Sequence, residues 1–148
     1  MPKPRKRRTV RDPMAWINQR IPLASDQQRD ICIAYHACLQ SILRGHGTDQ
    51  AWHTLACSLN IAMMLCEQGF NAGKLDTIKQ AQQAMLNCRA RAARHGSYGF
   101  TGDEARLLME ACNAHDEQIA TASKAQVSNA LRDLHRRIEA GEVLEAAA

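Results

Sequence analysis

Apolar residues recur at intervals of three and four along five stretches of this chain, and residues that start or stop helices bound each stretch. In the first, Ile31, Tyr35, Cys38, Leu39 and Ile42 form a stripe. Ser25 and Gln28 stand at capping-box spacing ahead of it, and Gly45-His46-Gly47 follows. Thr48 precedes the second, where Trp52, Leu55, Leu59, Ala62, Met63 and Cys66 share a face. Ile61, Met64 and Leu65 make that helix apolar on other sides too, which predicts a central position. Gly69 suits its left-handed C-terminal turn. The third runs from about Gly73 to His95 with Leu75, Ile78, Ala81, Met85, Cys88 and Ala92 inward. A turn over Gly96–Phe100 follows, its aromatics placed to seal one end. Thr101-Gly102-Asp103-Glu104 is a capping box for the fourth stripe, Ala105, Leu108, Cys112, His115 and Ile119. A break near Thr121–Ser123 leads to a fifth, with Val127, Leu131, Leu134 and Ile138, ended by Gly141.

No stretch alternates with period two, aromatics are few, and alanine is abundant, so strands are not expected. Short connections between long amphipathic helices predict an all-α fold, an antiparallel four- to five-helix bundle with a disordered basic N-terminal arm. The 148 residues suffice for one domain with a real core. The expected organisation is an arm over 1–12, a helical bundle domain over 13–141 and a frayed tail over 142–148. Asp12-Pro13 can open a short helical or docking segment, Met14 to Ile21. The fifth helix has a narrow apolar seam, suited to its own bundle or to a second copy.

Charge is unevenly distributed. The formal net charge is +4, yet residues 1–20 alone contribute +6 and the remainder −2. Lys3, Arg5, Lys6, Arg7, Arg8 and Arg11 supply the arm's positive charge, and Pro2 and Pro4 oppose helix there. So little apolar surface cannot offset the entropy of ordering the segment. These six side chains are the candidate contacts to nucleic acid or another polyanion. No apolar run approaches the ~18–20 residues that cross a bilayer, and the N-terminus lacks an apolar secretory region. The expectation is a cytoplasmic protein with no membrane partner. Six cysteines, none in a C-x-x-C pair, read as reduced thiols inside helices rather than as a disulfide framework.

Chemistry has few candidates. Cys32/His36 and His53/Cys57 are i,i+4 pairs whose residue types suit zinc, but a hairpin at 45–48 does not bring all four to one level. Cys112 and His115, an i,i+3 pair, could form a thiolate-activating dyad, though no orienting third group is evident. His115 lies inside an apolar stripe. It is expected to be buried and neutral, bonded to a neighbouring helix through Asn60 or Gln82. Glu67-Gln68-Gly69-Phe70 invites a helix-turn-helix reading, weakened by the long third helix and by Asp76 between Lys74 and Lys79. Arg89, Arg91 and Arg94 read as complements to a helix dipole. Phosphate-binding glycine loops, Ser-His-Asp sets and di-iron Glu-x-x-His motifs are absent from the sequence.

Several stretches carry a resemblance: His36-Ala37, Leu59-Asn60-Ile61-Ala62, Gly69-Phe70, Phe100-Thr101-Gly102-x-Glu104 and His115-Asp116-x-Gln118. From Lys3 to about residue 140 the chain resembles small helical proteins of proteobacterial phages and prophages. The resemblance implies a mobile-element origin in a bacterial host and brings no activity or functional residue with it. The function expected is that of a non-enzymatic accessory protein, without cofactor or metal, that binds a host or phage protein, nucleic acid, or both. A sequence-nonspecific DNA- or RNA-binding protein driven by the arm is the first alternative. A metal- or thiol-dependent enzyme is the second. A homo-oligomer through the C-terminal helix is compatible with each.

Overall fold

Helix boundaries fall where capping chemistry places them. The computed structural model describes residues 23–141, and the body is all-α. Its helices are α1 (Ser25–Leu43), α2 (Asp49–Glu67), α3 (Leu75–His95), α4 (Gly102–Thr121) and α5 (Lys124–Glu139), with a 3-10 turn at Ala72–Lys74. The basic arm, the Met14–Ile21 segment and the tail expected over 142–148 lie outside the described residues.

Thr48 Oγ1 accepts from the Ala51 N–H at 3.1 Å. At α4, Thr101 Oγ1 accepts from the Glu104 N–H at 3.2 Å, and Glu104 accepts from the Thr101 N–H at 3.0 Å. Ser123 and Gln126 make the same reciprocal pair at α5, at 3.3 and 2.7 Å. Such caps satisfy N–H groups that the helix leaves orphaned. The α1 start differs from expectation. Ser25 is already helical and Ala24 stands at the cap, where Gln27, not Gln28, accepts the Ala24 N–H at 3.3 Å. The Gln28 amide instead donates to the Leu23 carbonyl at 3.1 Å. The third helix also starts later than expected, because the 3-10 turn occupies its first residues.

Two helices end alike. At α1, the His46 N–H reaches Ser41 O at 2.9 Å and the Gly45 N–H reaches Ile42 O at 3.1 Å. At α2, Phe70 N–H bonds Leu65 O at 2.9 Å and Gly69 N–H bonds Cys66 O at 3.0 Å. Both are Schellman turns, which need a left-handed residue after the cap. Gly45 at φ +80° and Gly69 at +95° supply it without a Cβ penalty.

The apolar all-round character of α2 has the consequence expected of it: α2 packs on α1, α3, α4 and α5. The main core joins Tyr35, Leu39 and Ile42 of α1 and Trp52, Leu55 and Leu59 of α2 to Ile78 and Met85 of α3 and Leu108 of α4. Tyr98 and Phe100 pack on it from the turn between α3 and α4. A second, smaller core lies where α5 meets α2, built on Met64, Leu65, Ala122, Ala130 and Leu134. Each Leu-sized side chain so removed from water contributes roughly 1.5–3 kcal/mol before entropy is counted. The α5 seam therefore does pack on its own chain, with Leu131 and Ile138 left at the surface. Among the described residues, no helix is long and apolar enough to cross a membrane.

Candidate functional site

The chemically capable side chains gather along the α1–α4 seam. Each helix contributes a cysteine followed at i+3 and i+4 by polar groups: Cys32, Tyr35 and His36 on α1, and Cys112, His115 and Asp116 on α4. Helical geometry puts such a trio on one face. Asp116 is the hub. His36 Nε2 meets both its carboxylate oxygens, at 2.9 and 2.8 Å, and the Tyr35 hydroxyl donates to it. The Cys32 sulfur lies 3.2 Å from that hydroxyl. The Tyr35 ring is flanked by His36 and His115, with centroids 4.9 and 5.0 Å away.

Behind Tyr35 the polar contacts continue. His115 is buried, as its stripe position predicts. Its partner is not the expected one: Nδ1 lies 2.9 Å from Oε1 of Gln118, three residues along its own helix. Asn60 and Gln82, the expected partners, bond each other at 2.8 Å. That pairing takes the Gln82 amide as donor and the Asn60 carbonyl as acceptor inside the α2–α3 contact. The Gln118 amide nitrogen faces acceptors only, Ala62 O at 3.0 Å, Phe70 O at 2.9 Å and Cys66 Sγ at 3.2 Å. Its nitrogen is thereby oriented, its oxygen is turned to His115, and the imidazole proton is assigned to Nδ1.

Proton affinities follow from this burial. Burial, reinforced by the Asp116 bond, pushes the Tyr35 phenol far above its ordinary range. Burial pushes the Cys112 thiol up to about 12, with Asp116 adding to the effect. Cys32 is raised by the same two causes in the same order, with Tyr35 opposing. His115 is lowered, chiefly by burial, which keeps its ring neutral. An activated thiolate needs the opposite shift. In addition, His115 directs Nδ1 to Gln118 rather than to Cys112, so the i,i+3 pair is not assembled as a dyad.

The four residues considered for zinc do not converge. His36 is taken by Asp116, His53 Nδ1 lies 2.7 Å from the Asp49 carbonyl, and Cys57 packs on the second core. Among the described residues, no three His, Cys, Asp or Glu side chains are placed to hold a metal ion. All six cysteines are free, Cys66, Cys88 and Cys112 buried and the other three half-buried. The helix-turn-helix reading fails on geometry. Residues 68–74 separate α2 from α3, with Asn71 left-handed at φ +54° and a 3-10 turn, against the three- or four-residue turn of that motif. Arg91 does more than complement a dipole: it clamps the Glu104 carboxylate with both terminal nitrogens and donates to Gly99 O at 2.9 Å. For Glu104, burial acts upward, but the Arg91 and Thr101 bonds outweigh it and hold the carboxyl below its usual range. The six arm residues, Lys3 to Arg11, lie outside the described residues.

Asp116 and Gln118 stand in the His115-Asp116-x-Gln118 stretch, but sequence reasoning gave neither of them a role at this seam. The repeated cysteine-plus-three, plus-four spacing on two helices was the available signal for Asp116. For Gln118 the signal was a polar residue at the edge of an apolar stripe. No family model, curated protein or solved structure matches this chain.

Proposed function

We propose that this protein is a non-enzymatic accessory protein of phage or prophage origin that acts in a bacterial cytoplasm by binding a macromolecular partner. In this reading the body is an antiparallel four-helix bundle with α5 laid on it. The partner, a host or phage protein, is held by the helical surface together with the basic N-terminal segment. The observation that carries the reading is the use made of the polar seam. Cys32, Tyr35, His36, Asp116, His115 and Gln118 are spent on one another and on α2, and the thiols are shifted away from reactivity. Such a network specifies packing and leaves the outer surface for recognition.

Affinity capture from a bacterial lysate, with and without nuclease, tests it. A defined protein retained after nuclease and lost when Arg5, Lys6, Arg7 and Arg8 are neutralised is the expected result. Capture abolished by nuclease favours the alternative, a sequence-nonspecific nucleic-acid-binding protein. That alternative is supported by the charge distribution, since residues 23–141 hold twelve basic and twelve acidic side chains and the surplus lies ahead of them. Any turnover lost on Cys112→Ser would overturn the non-enzymatic reading. Self-association through α5 is supported by Leu131 and Ile138, exposed at 38% and 37% on one helix face. Sedimentation of Leu131→Glu beside the parent chain tests it.

A further inference from the structure

The body is neutral in sum but not in layout. Its two glycine turns, Arg44-Gly45-His46-Gly47 and Arg94-His95-Gly96-Ser97, lie against each other at one end. A Cβ on Gly47 would come within 2.9 Å of Tyr98 Cβ, and the Tyr98 hydroxyl donates to Asp49 just beyond the first turn. Arg44, His46, Arg94 and His95 are all exposed there. Each carboxylate at this end is already engaged: Asp49 by Tyr98, Glu104 by Arg91, Asp103 by Arg106. Among the described residues, neither Arg44 nor Arg94 has a carboxylate partner in an ion pair.

Basic residues also close α5, whose last turn carries Arg136 and Arg137, but those two are paired with Asp133 and Glu67. The last turns of α2 and α4, which also end in C-terminal carbonyls, carry no basic residue. That of α2 ends in an acid, Glu67. The two-turn end thus differs from the α5 end in carrying arginines with no carboxylate ion-pair partner among the described residues. Guanidinium groups on two adjoining turns, with imidazoles beside them, have the donor chemistry that phosphate oxygens accept.

We propose that this two-turn end is a contact face for the phosphodiester backbone of nucleic acid. The proposal takes its partner class from the alternative reading above and moves part of the contact from the N-terminal segment to the folded body. Backbone contacts carry no base specificity and appear in the salt dependence of binding, about −0.9 in log–log slope per phosphate neutralised on duplex DNA.

The test is fluorescence anisotropy of the full chain on labelled duplex DNA, single-stranded DNA and duplex RNA across a salt series. Arg44→Gln/Arg94→Gln should make the duplex-DNA slope shallower by about two. Ser97→Lys should steepen it by about one. A charge-matched control away from the two turns, Arg29→Gln/Lys79→Gln, should leave it unchanged. The proposal is overturned by an unchanged slope in the double variant, or by an equal fall in the control, which would report net charge alone. If neutralising Arg5, Lys6, Arg7 and Arg8 leaves the slope intact while the turn variant lowers it, the arm reading fails and this one stands. Absence of binding to all three nucleic acids at low salt overturns both, leaving the protein-partner reading in place.

Discussion

The two cores share α2 and are held to it by different means. Around Trp52 and Leu55, four helices contribute large side chains, and every large side chain under 2% exposed in the body belongs to α1, α2, α3 or α4. That core is crossed by two buried polar links, Gln82 to Asn60 and Gln118 to the Ala62 carbonyl. At the second core, α5 itself buries only Ala130 and Leu134 and adds the Arg137–Glu67 pair near the surface. Four helices interlocked on all sides should open as a unit. One helix resting on a neighbour by two buried residues should open first, at a lower free-energy cost. Stability in this molecule is thus stored unequally along α2, high toward Trp52 and low toward Leu65.

Substitutions can break that contrast or sharpen it. Leu55→Ala, at a site with 0% exposure, should cost about 3–5 kcal/mol and lower the single main unfolding transition seen by chemical denaturation. Gln118→Ala strips His115 Nδ1–H and the Phe70 carbonyl of their partner together. A loss of about 2–3 kcal/mol is expected, with the α2–α3 turn loosened in hydrogen exchange. Leu134→Ala should cost about 2 kcal/mol, read as faster amide exchange confined to α5. An equal loss of protection in α1 would show that the cores are one cooperative unit and would end the comparison. His115→Ala should destabilise by about 1–3 kcal/mol through its cavity and the unpaired Gln118 oxygen. Arg137→Gln should cost under about 1 kcal/mol, since Glu67 is more than a third exposed and salt screens the pair.

Acid and alkali provide a further measurement on the main core. The His115 pKa is lowered in the fold, so the unfolded chain binds that proton first. Its contribution is present above the ordinary imidazole value of 6.5 and is lost as pH falls from there toward the lowered native value. Glu104, also lowered, extends the acid loss below its ordinary 4.5. At the other extreme Cys112 keeps its proton to about 12 in the fold, while the unfolded thiol releases it near 9.0, so stability should decline above pH 9. Equilibrium denaturation from pH 4 to pH 10 checks both limbs. His115→Gln should flatten the limb that begins as pH falls below 6.5.

Helix content was legible in the sequence because its signals are local. The boxes at Thr101/Glu104 and Ser123/Gln126, the Thr48 cap and the Gly69 turn each act within four residues, and all stand in the structure. The central role of α2 was legible too, since apolar residues on several faces demand several neighbours. What a helical wheel cannot supply is the identity of the neighbour. Asp116 meets His36 across 80 residues of chain, and no periodicity encodes that meeting. His115 was correctly placed inward and wrongly partnered, because a buried imidazole needs some acceptor, and the nearest lay on its own helix. Ser25 misled for a related reason: a good capping residue one position late is still outcompeted when Gln27 reaches back over Ala24.

Trp52 turns the unequal cores into something visible. Its indole is buried, donates from Nε1 to Met85 O at 2.9 Å, carries Arg89 4.8 Å above the ring and meets His53 edge-on. All of these partners belong to α2 or α3, and none to α5. The chain has one other tryptophan, Trp16, so Trp16→Phe leaves a single emitter seated in the main core. Its emission wavelength is then blind to the departure of α5, whereas far-ultraviolet ellipticity counts every helix. Recorded on one denaturant series, the two signals should separate, ellipticity falling before the fluorescence shifts red, and the gap between the curves is the optical image of how loosely the last helix is attached.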